Sequence, residues 1–118
     1  MKVQCRKSGR CLIVALSGEM DHHASDLIRR KIDDAYHVQG AIHIIFDCKG
    51  MNFMDSSGLG LIMGRYKTAA SLGGRVAVTH VSKQLDRVLA MSGLYKIIQK
   101  SDDTESAIQA LEGGKQHA

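Results

Sequence analysis

Ala41-Ile42-His43-Ile44-Ile45-Phe46-Asp47-Cys48, followed by a helical pattern over residues 56–71, decides the architecture. The first stretch is an almost unbroken apolar run, the signature of a strand buried on both faces, and it is expected to be central. In the second, Leu59, Ile62, Met63, Tyr66 and Ala70 recur at helical spacing on one face. Leu72-Gly73-Gly74 then closes the helix as a C-terminal glycine cap, and Arg75-Val76-Ala77-Val78-Thr79-His80 supplies another strand. Strand, helix and strand joined in this way form a βαβ crossover, so the two strands run parallel.

Working outward, the same unit occurs upstream. Cys11-Leu12-Ile13-Val14-Ala15-Leu16 is a second buried strand, and residues 24–35 place Ala24, Leu27, Ile28, Ile32 and Ala35 on one helical face before Val38-Gln39-Gly40 ends that helix. Val3 to Lys7 is a marginal first strand that Ser8-Gly9-Arg10 turns back as a hairpin. Downstream, Ser82 caps a helix with a Leu85, Val88, Leu89 stripe, which Ser92-Gly93 stops. Leu94 to Ile98 is read as a short edge strand. A last helix opens at Asp102-Asp103-Thr104-Glu105, where acids suit the macrodipole, and buries Ala107, Ile108 and Leu111. The fold class is therefore α/β, with one domain over residues 1–112 and a frayed tail over 113–118.

At 118 residues the chain builds one core, and 44% hydrophobic with 24% charged residues are globular values. No apolar run approaches the roughly 18 residues of a membrane span, and the N-terminus lacks a signal-peptide core, so a cytoplasmic protein is expected. Cys5, Cys11 and Cys48 are widely spaced and odd in number, which favours reduced core thiols over a disulfide framework or a zinc site. The net charge of +4 comes from sixteen Lys and Arg interleaved with acids, without aromatic residues for base stacking. That pattern fits a solvated surface and gives no reason to expect direct nucleic-acid binding.

Phe53-Met54-Asp55-Ser56-Ser57-Gly58-Leu59-Gly60 is the stretch where strand turns into helix. Asp55, Ser56 and Ser57 are its N-cap candidates, since their side-chain oxygens can accept from amides that the first turn leaves unpaired. Two readings stand side by side: a cap with a tight turn, or an exposed serine at a helix N-terminus, where a phosphate is welcome. Gly58 and Gly60 are poor helix formers, and in a first turn they imply close approach to the backbone.

Other chemistry has weaker support. No G-x-x-x-x-G-K-[ST] loop occurs, and Gly58-Leu59-Gly60 lacks the third glycine of a dinucleotide fingerprint. Ser56 has no G-x-S-x-G elbow, and Asp55 beside it disfavours an oxyanion. A triad from Asp21, His22 or His23, and Asp47 is conceivable, so a small hydrolase or nucleotide-binding enzyme using Ser56 is the alternative reading. His22 and His23 are adjacent, which is the wrong helical spacing for a shared metal.

Three ordered blocks carry a resemblance: Gly18-Glu19-Met20-Asp21-His22-His23, then Phe53 to Gly60 continuing through Gly64-Arg65-Tyr66-Lys67, then Met91-Ser92-Gly93-Leu94-Tyr95-Lys96-Ile97-Ile98. Together the chain resembles the anti-sigma factor antagonists, and most of all the sporulation stage II anti-anti-sigma factors. The resemblance implies a STAS-type mixed sheet with helices packed mainly on one face. It also implies a binding protein rather than an enzyme, with no cofactor. The expected partners are an anti-sigma factor serine kinase, which phosphorylates Ser56 and is bound by the unphosphorylated form, and a PP2C-type phosphatase that restores that form. Asp21, Asp55, Ser57, Gly58, Leu59 and Gly60 are the expected contact residues. Asp21 and Asp55 would share one rim if their preceding strands run parallel.

Overall fold

The computed structural model describes residues 2–18 and 22–113, with all their side chains except those of His22 and His23. Its strands are β1 (Lys2–Ser8), β2 (Cys11–Ser17), β3 (His43–Gly50), β4 (Val76–Thr79) and β5 (Gln99–Ser101). The helices are α1 (His22–Val38), α2 (Ser56–Ser71), α3 (Lys83–Ser92) and α4 (Thr104–Gly113). The strands form one sheet in the order β1-β2-β3-β4-β5. The hairpin β1-β2 is antiparallel, and every later pair is parallel. The long apolar run is thus the middle strand, hydrogen-bonded along both edges, with helices over both of its apolar faces.

Alternation along the strands sorts the core into two layers. Leu12, Val14, Ile44, Phe46, Val76 and Val78 point to one side and pack with Ile28, Ile32, Ile62, Leu85 and Leu89 of α1, α2 and α3. Cys11, Ile13, Ile45 and Ala77 point to the other side, where Ala107 and Leu111 of α4 cover them. Three helices lie on one face and one on the other, as a mixed sheet with helices mainly on one face requires.

Local chemistry explains the element ends. Leu72 caps α2, Gly73 takes φ +82°, and the Gly73 and Gly74 amides donate to Ala70 and Ala69. That is the paired hydrogen bonding of a Schellman close. A Cβ on Gly74 would lie 1.9 Å from the Ile42 carbonyl oxygen, so only glycine lets the chain cross β3 there. Ser82 accepts from the Leu85 amide, and Asp103 accepts from the Ser106 amide, starting α3 and α4.

Four expectations about strand bounds and helix faces need correction. β3 begins at His43 instead of Ala41, because the Ile42 and His43 amides both donate to the Arg10 carbonyl before the parallel ladder starts. Leu94 to Ile98 is no strand: Gly93 at φ +83° opens a 3-10 turn, the Ile97 and Ile98 amides return to the Leu94 carbonyl, and β5 follows at Gln99. Leu27 is 72% exposed, since the buried stripe of α1 is Ile28, Ile32 and Tyr36 and Leu27 stands about 100° around the helix from Ile28. The buried side of α2 is Gly58, Leu61, Ile62, Arg65 and Ala69. Leu59, Met63 and Tyr66 are only half-buried and Ala70 is exposed. The helix is turned by one residue so that the Arg65 guanidinium meets Asp33 of α1, Nε to Oδ1 at 2.8 Å.

Of the cysteines, Cys11 and Cys48 are buried free thiols, and burial pushes their pKa values up to about 11 and about 12. Cys5 is free but only half-buried on the outermost strand, so it is not a core thiol. The expected tail starts one residue early: Gly113 still belongs to α4, and 114–118 lie outside the described residues. Among the described residues no helix is long and apolar enough to cross a membrane.

Candidate functional site

The loop between β3 and α2 is built by alternating anchors and projections. Met51 and Met54 are buried in the core, and the Met51 amide donates to Cys48 O at 3.0 Å. Between them Phe53 is thrown outward and is 65% exposed, while Asp55 and Ser56 emerge just past the second anchor. The Phe53 ring therefore stands in water three residues before the exposed Ser56. Phe53 was within the quoted motif but not among the expected contact residues. No periodicity could single it out, because in a loop only the two buried methionines decide which side chain between them faces solvent.

Asp55, one of three N-cap candidates, is the cap. Its backbone is extended at φ −92°, ψ −168°, and its Oδ1 accepts from the Ser57 amide at 2.9 Å and the Gly58 amide at 3.3 Å. Ser56 is thereby the first helical residue, exposed, with its hydroxyl not required as a cap. Ser57 is half-buried in the same turn. The positive end of the α2 dipole already faces a carboxylate, so a phosphate on Ser56 would stand next to an anion as well as to the helix end.

The two glycines differ in role. A Cβ on Gly58 would meet Met54 Cγ at 3.0 Å and Cβ at 3.1 Å, so the close approach inferred from sequence is made by the chain's own anchor. A Cβ on Gly60 would meet nothing within 4 Å, so packing among the described residues does not require glycine there. Gly60→Ala should therefore raise stability by up to ~1 kcal/mol through helix propensity, whereas Gly58→Ala should gain less or lose, since Met54 must move. Urea denaturation of the two variants checks this; equal gains would show that Met54 yields freely.

Asp55, Ser56, Ser57, Gly58, Leu59 and Gly60 form one continuous surface turn, of which Leu59 offers only part, being packed against the core. Asp21 lies outside the described residues, but the strands leading to it and to Asp55 are parallel, and the Gly18 amide donates to the Gly50 carbonyl at 3.2 Å. The chain at Gly18 and at Gly50 therefore leaves the sheet at the same end.

The geometry for a triad is divided. Asp47 Oδ1 lies 3.1 Å from His80 Nδ1 and also accepts from the Lys49 amide. Asp47 follows Ile45 in the alternation and so shares the α4 side of the sheet, whereas Ser56 heads a helix of the opposite layer.

Comparison with known proteins places these features. Residues 2–108 match the STAS domain family. An anti-sigma F factor antagonist of Paenibacillus polymyxa is 48% identical over 101 residues, covering 86% of each chain. The solved anti-sigma factor antagonist SpoIIAA in its unphosphorylated form superposes with a TM-score of 0.80 at 32% identity, over 95% of this chain and 97% of that one. The Bacillus SpoIIAA structure in the phosphorylated form superposes at 0.71 with 33% identity, over 92% and 97%. The fold and its loop-to-helix site define a STAS domain. Within that family, the chain belongs to the anti-sigma factor antagonists of the SpoIIAA type.

Proposed function

We propose that the unphosphorylated chain binds a cognate anti-sigma factor that is itself a serine kinase, and so frees a sporulation sigma factor. Phosphorylation of Ser56 by that kinase ends the interaction, and a PP2C-type phosphatase restores it, in the cytoplasm. The chain acts by binding and catalyses nothing itself. The contact surface is the first turn of α2, with Asp55, Ser57, Gly58, Leu59 and Gly60, joined by Asp21 from the neighbouring strand end and by Phe53.

The observation that carries this reading is the position of Ser56: exposed at the first helical residue, beside a cap residue that has already taken the Ser57 and Gly58 amides. A sequence-based expectation is that the helix end holds the phosphate locally. With Asp55 on those amides, the phosphate instead adds roughly −1.5 to −2 charge next to an existing −1. The switch then needs no refolding; it converts a turn with a single negative charge and an apolar neighbour into a strongly anionic one. A partner that buries Phe53 and packs on Gly60 would have to desolvate that phosphate.

Incubation with the kinase and ATP, followed by phosphopeptide mapping, tests the assignment. Modification is expected at Ser56 and not at Ser57, which is half-buried in the same turn with its amide on Asp55. Phosphate on Ser57, or on neither, sinks it.

A further inference from the structure

The sheet has an open edge at β1, and the hydrogen-bonding pattern shows which groups it offers. Ser8 pairs with Cys11 across a two-residue turn, so Ser8, Arg6, Gln4 and Lys2 turn their backbone groups toward β2. Val3, Cys5 and Lys7 consequently turn theirs outward. The Val3 carbonyl is met by Lys31 Nζ of α1 at 3.1 Å, which confirms the outward sense.

Among the described residues a cavity of about 600 Å³ wraps this edge: Gln4, Arg6, Ile13, Ala15 and Asp47 line it on the α4 side of the sheet, and Cys5 with Lys31, Ala35 and Gln39 on the α1 side. Leu27, one turn before Lys31 on the same ridge, is the exposed leucine noted above. Lys2, Arg6, Lys7 and Lys31 surround the edge, and among the described residues none of the four is ion-paired with a carboxylate. The one acid in the cavity wall, Asp47, is engaged by His80 and the Lys49 amide.

We propose that the β1 edge is a second docking site, which takes an acidic, extended segment of a partner protein as an added strand. The segment's backbone pairs with the outward groups of Cys5 and Lys7, and its carboxylates meet Lys7 and Lys31 on the α1 side of the sheet. A second copy of this chain is a poor occupant, because β1 carries Lys2, Arg6 and Lys7 and no acid, so two β1 strands bring together only like charge. Lys7 pairs with Leu12 and so stands at the end of the sheet opposite Ser17 and Gly50, from which the chain leads to the Ser56 turn. A partner held here can be bound while the switch site is engaged.

The test uses the ¹⁵N-labelled chain titrated with a heptapeptide of alternating Glu and Val. Expected are amide shifts at Val3, Cys5 and Lys7, slowed hydrogen exchange at Cys5 and Lys7, and little change along α2. An alternating Lys and Val peptide, a Glu and Val peptide N-methylated at alternate amides, and the exposed-site variant Lys7→Glu should each bind at least ~10-fold more weakly. Absence of β1 shifts at millimolar peptide, equal binding of the Lys peptide, or indifference to N-methylation overturns the proposal. Concentration-dependent β1 shifts without peptide, or ready Cys5 to Cys5 crosslinking, would assign the edge to a second copy instead.

Discussion

Ser56→Asp should lower affinity for the anti-sigma factor kinase by at least ~10-fold, while Ser56→Ala stays within about twofold of the parent chain. The difference is expected to be electrostatic and local. Because Asp55 is the cap, neither substitution removes a capping hydrogen bond, so Ala should cost little stability. Asp at the first helical position should even gain ~0.3–1 kcal/mol from the macrodipole. A carboxylate carries about half the charge of phosphate, and with the Ser57 and Gly58 amides occupied it remains in solvent, where a partner meets it. Titration calorimetry with the kinase and nucleotide reads the affinities, and circular dichroism confirms the fold. Equal affinities for the two variants would show that charge at this turn is not what separates the bound and free states.

Asp33→Asn should destabilise the chain by about 3 kcal/mol, a fall in Tm of roughly 10 °C. The Arg65 side chain is only 8% exposed, and its Nη1 is buried without a hydrogen bond among the described residues. Its Nε faces Asp33 at 2.8 Å but out of hydrogen-bond alignment, so the attraction is chiefly between charges. Burial lowers the Arg65 pKa, Asp33 opposes that shift, and neighbouring Arg29 adds to it. Losing the Asp33 charge leaves a buried cation uncompensated; Asp33 is itself 28% exposed, which keeps the loss at the lower end for such pairs. The double variant Asp33→Leu with Arg65→Met should recover most of the stability, since it buries no charge. Chemical denaturation checks both, and a change under ~0.5 kcal/mol for Asp33→Asn would mean that water reaches the guanidinium.

How much of this was legible beforehand follows from the range of each interaction. Strand and helix identities rest on periodicity within ten or so residues. The 41–48 run therefore announced a central strand, and the Leu72-Gly73-Gly74 close, the Ser82 cap and the acid-led last helix stood where expected. The parallel order followed from the crossovers, because consecutive βαβ units leave few alternatives. The motif at 53–60 likewise marked the turn that carries the site.

What the sequence could not determine were rotations and partners. The face of α2 was placed one residue out, because Arg65 reads as a polar residue until Asp33, on another helix, makes its burial affordable. Gly58 and Gly60 look alike in a string of letters; only the packing shows that Met54 lies under one and nothing under the other. Leu94 to Ile98 has the apolar content of a strand, yet Gly93 and the burial of Leu94 with Ile98 favour a helical turn. The sequence by itself determined the elements, their order and the serine turn, since these depend on local hydrogen bonding and amphipathic period. Helix rotation, the choice of Asp55 as cap and the exposure of Phe53 and of the β1 edge were decided only in the tertiary structure, because each depends on atoms brought together from distant parts of the chain or on the competition between neighbouring groups for the same space.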